Sequence, residues 1–273
     1  MARERLSARQ WASDHLEDIS IARIVPSALT LLGLGAGATA IRFALIQDWK
    51  MAVAAIFLAM IFDMLDGQAA RLLGADSRFG AQLDSLADVV SFGIAPAVVV
   101  YSWSLAEMGT AGWIAAVIFC ACSAIRLARF NVESSRDEGA TQSHPYFTGL
   151  PTPGAAGVLL LPLLLSFEFG REIFHDPMFC LTLVAITSAL MVSRVPTPAL
   201  KYTRLDRQTR IASVAAVGAL IPLGIYVPWA TLIAGLLIYI GIIPFAIRAL
   251  LAKDEEPEPQ PIYSAATPPE DTD

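Results

Sequence analysis

The sequence predicts an all-α protein: a polytopic transmembrane helical bundle of about eight spans, with the N- and C-termini cytoplasmic. Three observations predict it. Of 273 residues, 55% are hydrophobic and only 16% are charged, whereas soluble domains carry about 25% charged residues. The apolar residues fall into runs near the ~20 residues that a helix needs to cross a bilayer, at about 24–46, 51–73, 80–105, 110–130, 152–168, 177–194, 211–227 and 229–250. Lysine and arginine collect in alternate links, and that alternation sets orientation.

Residues 1–23 are polar and carry Arg3, Arg5, Arg9 and Arg23; Trp11, Leu16 and Ile19 either form one face of an interfacial helix or belong to a solvated arm. In the first run, Ala38-Thr39-Ala40 resembles a signal-peptidase site, but hydrophobicity continues to Ile46, so an uncleaved helix is expected. Gly33 and Gly37 are spaced for close helix contact. Basic residues mark the links 71–79 (Arg71, Arg78), 126–150 (Arg126, Arg129, Arg136) and 194–210 (Arg194, Lys201, Arg204, Arg207, Arg210), while the links near 48, 107 and 170 carry few. The last two runs are split only by Pro228. From Lys253 onward one lysine faces seven acidic residues, so the tail accounts for the whole net charge of −6. That Pro-rich tail reads as disordered. The expected division is therefore an arm at 1–23, a membrane domain at 24–205, two additional spans at 206–252 and a tail at 253–273.

Cys120, Cys122 and Cys180 all lie inside apolar runs and read as packing residues. His15, His144 and His175 are scattered, so no thiolate or imidazole zinc centre is expected. A metal in this chain should be a hard cation bound by oxygen.

The stretch Asp63–Asp88 concentrates the chemistry. It holds five Asp and two Arg between long apolar runs, and ionisable groups there are costly unless something binds them. Asp63 and Asp66 are three apart, Asp84 and Asp88 four apart, so each pair shares one face of a helix. The short link Leu73–Phe79 returns the chain, so both helix ends meet on the cytoplasmic side. Four carboxylates converging at one depth repel one another, and two divalent cations neutralise them. Such a pair, about 4 Å apart, suits displacement at phosphorus. Gly67, Ala69, Ala70 and Gly80 leave room for a ligand, Arg71 offers a donor fork to a phosphate, and Ser77 is a hydrogen-bonding partner in the link. Simple pairing of these Asp with Arg71 and Arg78 is the plainer alternative. It suits a single Asp better than four on two facing helices, and Asp76 is left as an ordinary link residue.

Asp63-x2-Asp66-Gly67-x2-Ala70-Arg71-x8-Gly80-x3-Asp84-x3-Asp88 resembles the signature of the CDP-alcohol phosphotransferases, membrane enzymes that move a phosphatidyl or similar group from a CDP-linked donor to an alcohol and release CMP. The flanks Asp84–Pro96, Arg126-Leu127-Ala128-Arg129-Phe130-Asn131, Phe147-x-Gly149-Leu150-Pro151-x-Pro153 and Leu190–Arg194 resemble its phosphatidylserine synthase branch. The resemblance reaches to about Lys201. Ser27 in Pro26-Ser27-Ala28-Leu29-Thr30 stands where related enzymes often carry Asn.

The resemblance implies that Asp63, Asp66 and Asp84 are metal ligands. Asp88 is then the general base and a further metal contact. Ser27, Thr30, Gly67, Ala70, Arg71, Ser77 and Gly80 would meet the CDP part of CDP-diacylglycerol. It further implies two divalent cations (Mg2+ or Mn2+), L-serine as acceptor and a homodimer; compactness points to a bacterial inner membrane, and the basic links place the active site at its cytoplasmic face. The lipid bilayer is the remaining partner, and no nucleic acid is expected. For the serine carboxylate, the basic link supplies Arg126, Arg129 and Asn131, with Lys201 behind; each basic residue there also satisfies the positive-inside rule. Within the same chemistry, the alternative acceptors are choline, glycerol 3-phosphate or an inositol phosphate. A transporter is the remote alternative and would place carboxylates near mid-bilayer. A membrane scaffold gives no reason for the Asp-Gly-Ala-Arg spacing. Gly149-Leu150-Pro151-Thr152-Pro153 either shapes the start of the fifth span or is a plain helix-start turn.

Overall fold

A computed structural model describes residues 21–75, 77–137, 146–170, 172–193, 196–198, 224 and 226–254. The described residues are mainly helical, and among them five helical segments are long and apolar enough to cross a membrane: Ile24–Leu45, Trp49–Leu73, Arg78–Trp103, Thr110–Glu133 and Thr152–Phe169. Pro177–Val192 and Pro228–Ile242 are shorter apolar helices. The run at 211–227 lies almost wholly outside the described residues, as do the N-terminal arm before residue 21, Asp76, Lys201 and the tail beyond 254.

The elements are α1 (Ile21–Leu45), α2 (Trp49–Leu73), α3 (Arg78–Asp88), a π-helical segment (Val89–Ile94), α4 (Ala95–Trp103), a 3-10 turn (Leu105–Met108), α5 (Thr110–Asp137), β1 (Tyr146–Thr148), α6 (Thr152–Phe169), a second 3-10 turn (Glu172–His175), α7 (Pro177–Val192), β2 (Pro196–Pro198) and α8 (Pro228–Asp254). The strands form one small antiparallel pair, Tyr146 opposite Pro198 and Thr148 opposite Pro196. It draws the segment before α6 against the segment after α7.

Local chemistry explains the boundaries that matter. Asp48 caps α2 by accepting from Met51 N at 3.2 Å. Gly74 ends α2 in the left-handed region, φ 58°, with its N–H returned to the Ala70 and Arg71 carbonyls. Ser77 then caps α3 by accepting from Gly80 N at 3.0 Å. A glycine stop and a serine start three residues apart make the link short, and α3 then packs on α1, which also packs on α2.

Small residues bring α1 against both. Gly33 faces Phe62 and Ala59 of α2, and a Cβ on Gly37 would overlap Ser91. The close approach foreseen for this glycine pair is thus made within the chain. Ser91 lies in the π-helical segment and donates to the Gly33 carbonyl at 3.2 Å. One extra residue in that turn re-phases α3 against α4, so the acidic face of α3 and the apolar face of α4 both meet the bundle. The helix α6 runs through the middle: Leu159, Leu160, Leu163 and Leu164 are fully buried, and it packs on α4, α7 and α8. Cys180 is buried and Cys120 and Cys122 are half-buried, all three as free thiols, as the packing reading requires.

Candidate active site

The facing ends of α2 and α3 build the site. Asp63, Asp66 and Asp84 each place a carboxylate oxygen within 4.8 Å of the other two. Asp66 is only 5% exposed, and Asp63 and Asp84 are half-buried. The Thr30 hydroxyl on α1 donates to Asp66 Oδ2 at 2.6 Å, fixing that carboxylate from behind. Among the described residues, none of the three makes an ion pair with lysine or arginine, so pairing with Arg71 and Arg78 does not account for the cluster. Oxygens that share one hard cation at about 2.0–2.6 Å lie at most ~5 Å apart. The trio therefore fits a divalent metal by donor type, spacing and lack of other neutralisation.

Asp88 stands outside that trio. It shares a narrow cavity with Asp63, Asp66, Asp84 and Thr30, and its electrostatic neighbours are the other three aspartates and the Arg126 guanidinium. A carboxylate beside the ligand set yet separate from it is positioned to take a proton.

A cavity of about 850 Å³ opens on the other side of the trio. Ser27, Thr30, Gly67, Ala70, Arg71, Ser77 and Gly80, the seven residues that the family resemblance assigned to the nucleotide, all line it together with Asp66 and Asp84. Two of them also carry structural duties. Thr30 is committed to Asp66 and Ser77 to the α3 cap. Gly67 has no such duty: a Cβ there would come no closer to the protein than 3.8 Å, from Arg71 Nη1. The space that it leaves is cavity space. Sequence reasoning overlooked Gln82 and Phe130, which also line the cavity. Phe130 stood inside the quoted Arg126–Asn131 motif, and that was the signal available.

The proposed acceptor residues divide. Arg126 lies beside Asp88 and donates from Nη1 to Thr152 Oγ1 at 2.8 Å. Arg129 Nη1 instead donates to the Val192 carbonyl at 3.0 Å, at the C-terminal end of α7, where a cation complements the helix dipole. Asn131 lines the large cavity and donates to Ser85 Oγ at 2.9 Å. Lys201 lies outside the described residues. The Gly149–Pro153 motif is more than a helix-start turn. Gly149 (φ 78°) presses on the Met191 and Ser193 carbonyls, where a Cβ would come within 2.7 and 2.9 Å, and fully buried Thr152 receives Arg126.

The family model for CDP-alcohol phosphatidyltransferase matches residues 23–252. The chain belongs to the CDP-alcohol phosphatidyltransferase family. Relatives in it include proteins named CDP-diacylglycerol–serine O-phosphatidyltransferase. The one from Mycobacterium leprae is 37% identical over 226 residues, 83% of this chain and 75% of that protein. That from Bacillus subtilis is 34% identical over 177 residues, 65% of this chain and 91% of the relative. That from Helicobacter pylori is 32% identical over 182 residues, 66% and 74% respectively. CDP-alcohol phosphatidyltransferases use divalent metals, and an aspartate cluster that could hold one is present in this integral membrane protein.

Proposed function

We propose that this protein transfers the phosphatidyl group of CDP-diacylglycerol to the hydroxyl of L-serine, giving phosphatidylserine and CMP. The observation that carries the reading is the Asp63–Asp66–Asp84 trio, with Asp66 and Asp84 lining an 850 Å³ cavity and Asp88 sharing a narrow second cavity with all three. The names of the relatives support serine as the acceptor.

Asp63, Asp66 and Asp84 would hold two divalent cations, Mg2+ or Mn2+, with Asp88 as a further contact. When bound, these supply charge neutralisation at the diphosphate and at the departing CMP. Arg71, Gly67 and the Ser27–Thr30 turn hold the CDP part in the large cavity. Arg126 holds the serine carboxylate, with Asn131 and Lys201 contributing from the basic link, while Arg129 braces the end of α7. Asp88 accepts the proton of the serine hydroxyl as that oxygen bonds to the phosphorus that carries the diacylglycerol. The bond from that phosphorus to CMP breaks, and CMP leaves as the phosphate anion.

The same reading places the active site and both termini at the cytoplasmic face of a bacterial inner membrane, since the arginines and lysines gather in the corresponding links. It counts about eight spans, with a transferase domain at 24–205 and two added spans at 206–252 between the arm and the tail. A homodimer follows from the family resemblance.

The test presents detergent-purified protein with CDP-diacylglycerol and, in turn, L-serine, choline, glycerol 3-phosphate and an inositol phosphate, and measures CMP. Release should require serine and a divalent cation and should stop on chelation. CMP release with another alcohol but none with serine would overturn the acceptor; release that chelation leaves untouched would overturn the metal.

A further inference from the structure

The polar array around Arg126 carries a further inference, which rests on the proposed transfer to serine. Arg126 is half-buried on α5. Its Nη1 is committed to Thr152, while its Nε is buried and has no hydrogen-bond partner among the described residues. Its electrostatic neighbours are Tyr239 on α8, Asp88 on α3 and Glu133 on its own helix α5. Tyr239 comes from the helix that the sequence assigned to an added span beyond the strongest family resemblance.

Packing fixes the phenol there. A Cβ on Gly154 would lie 2.6 Å from Tyr239 Oη, and one on Gly157 would lie 2.6 Å from Leu236 Cδ2. Two glycines one turn apart on α6 thus receive two side chains one turn apart on α8. The same stretch of α6 begins with Thr152, the partner of Arg126. A hydroxyl half-buried against apolar helices is costly without a partner, and a buried guanidinium N–H without one is costlier. The guanidinium links the two sides, interacting electrostatically with the phenol and with the carboxylate that would take the hydroxyl proton. An amino-acid carboxylate satisfies them together: it accepts from the arginine edge and from a phenol at once.

The geometry points to Tyr239 as a specificity-determining residue for the acceptor. With Arg126 it forms the carboxylate-recognising end of the acceptor site, so that α8 completes the active site. Serine held there by its carboxylate turns its hydroxyl toward Asp88. An amino alcohol without a carboxylate leaves both donors unpaired and is rejected.

The test uses the full chain in detergent with Mn2+, comparing wild type, Tyr239→Phe and Gly154→Ala, with serine and ethanolamine as acceptors. Tyr239→Phe should raise the KM for serine about tenfold, the loss of one hydrogen bond to a charged group. The kcat should stay within twofold and the KM for CDP-diacylglycerol should not move. Preference for serine over ethanolamine should fall by the same factor. Gly154→Ala keeps the hydroxyl but displaces it, and should give the same selective rise. An unchanged serine KM in either variant, or serine and CDP-diacylglycerol KM values rising together, would overturn the assignment. Wild-type protein that releases no CMP with serine would instead sink the transfer reading itself, so the two failures are separable.

Discussion

Thr30 on α1 and Asp66 on α2, 36 residues apart in sequence, meet in a 2.6 Å hydrogen bond from the threonine hydroxyl to Oδ2. The bond orients a buried carboxylate of the trio. Partners of this kind behind a ligand tune metal affinity by about 10- to 100-fold. Thr30→Val should therefore raise the Mn2+ concentration for half-maximal CMP release by at least tenfold, with most of the velocity recovered at saturating metal. A metal titration in which the midpoint stays put would remove Thr30 from this role.

The two kinds of aspartate should separate kinetically. Asp63→Asn and Asp84→Asn should lose metal activation and turnover together, because each removes an oxygen from the 4.8 Å cluster. Asp88→Asn should retain CDP-diacylglycerol binding and lose turnover by about 10²-fold or more, the usual contribution of a positioned base. Near-wild-type CMP release by Asp88→Asn would reassign the proton acceptor.

Arg126 and Arg129 are three residues apart on α5, yet their contacts predict different phenotypes. Arg126→Ala should raise the KM for serine about tenfold or more, leaving that for the donor lipid unchanged. Arg129 is bonded to the Val192 carbonyl, so Arg129→Ala should chiefly lower the melting temperature of the solubilised protein, by a loss of about 1–2 kcal/mol. Equal serine KM values in the two variants would show that both grip the acceptor.

Gly67→Ala tests the large cavity. With no protein atom closer than 3.8 Å to the added methyl, thermal stability should hold while the KM for CDP-diacylglycerol rises several-fold. A fall in melting temperature with unchanged KM would mean that the glycine serves folding and not the ligand.

Gly35 and Gly37 offer a matched pair for the helix packing. A Cβ on Gly37 would overlap Ser91, whereas nothing lies within 4 Å of one on Gly35. Gly37→Ala should cost about 1–3 kcal/mol of overpacking and loosen the α1–π contact that carries Thr30, while Gly35→Ala should be neutral. The check is the melting temperature of each in detergent, and equal values would deny the close approach.

Much of the site was legible in the chain. The Asp spacings three and four apart are helical spacings, and the short link Leu73–Phe79 keeps the two helix ends close. The convergence of Asp63, Asp66 and Asp84 follows from those local rules, and the seven cavity residues follow from the signature around them. Arg129 was less legible. It looked like its neighbour Arg126, because a basic residue in a link reads alike whether it faces a ligand, a lipid or a helix end; the nearby α7 terminus decided it. Thr152 stood inside the quoted Gly149–Pro153 motif without a role of its own, and Tyr239 carried no signal, since one tyrosine in an apolar run resembles many others.

Composition, periodicity and charge placement therefore determined by themselves that this chain is a helical membrane protein with an acidic, metal-competent hairpin. These are local properties, written in residues a few positions apart. Only the tertiary structure decided that Asp88 stands apart from the trio within electrostatic reach of Arg126, that Thr30 braces Asp66, and that α8 brings Tyr239 within electrostatic reach of Arg126. Each of these joins residues tens to more than a hundred positions apart. Which of them meet is set by packing at glycine notches and by one π-helical turn, and no sequence period encodes that.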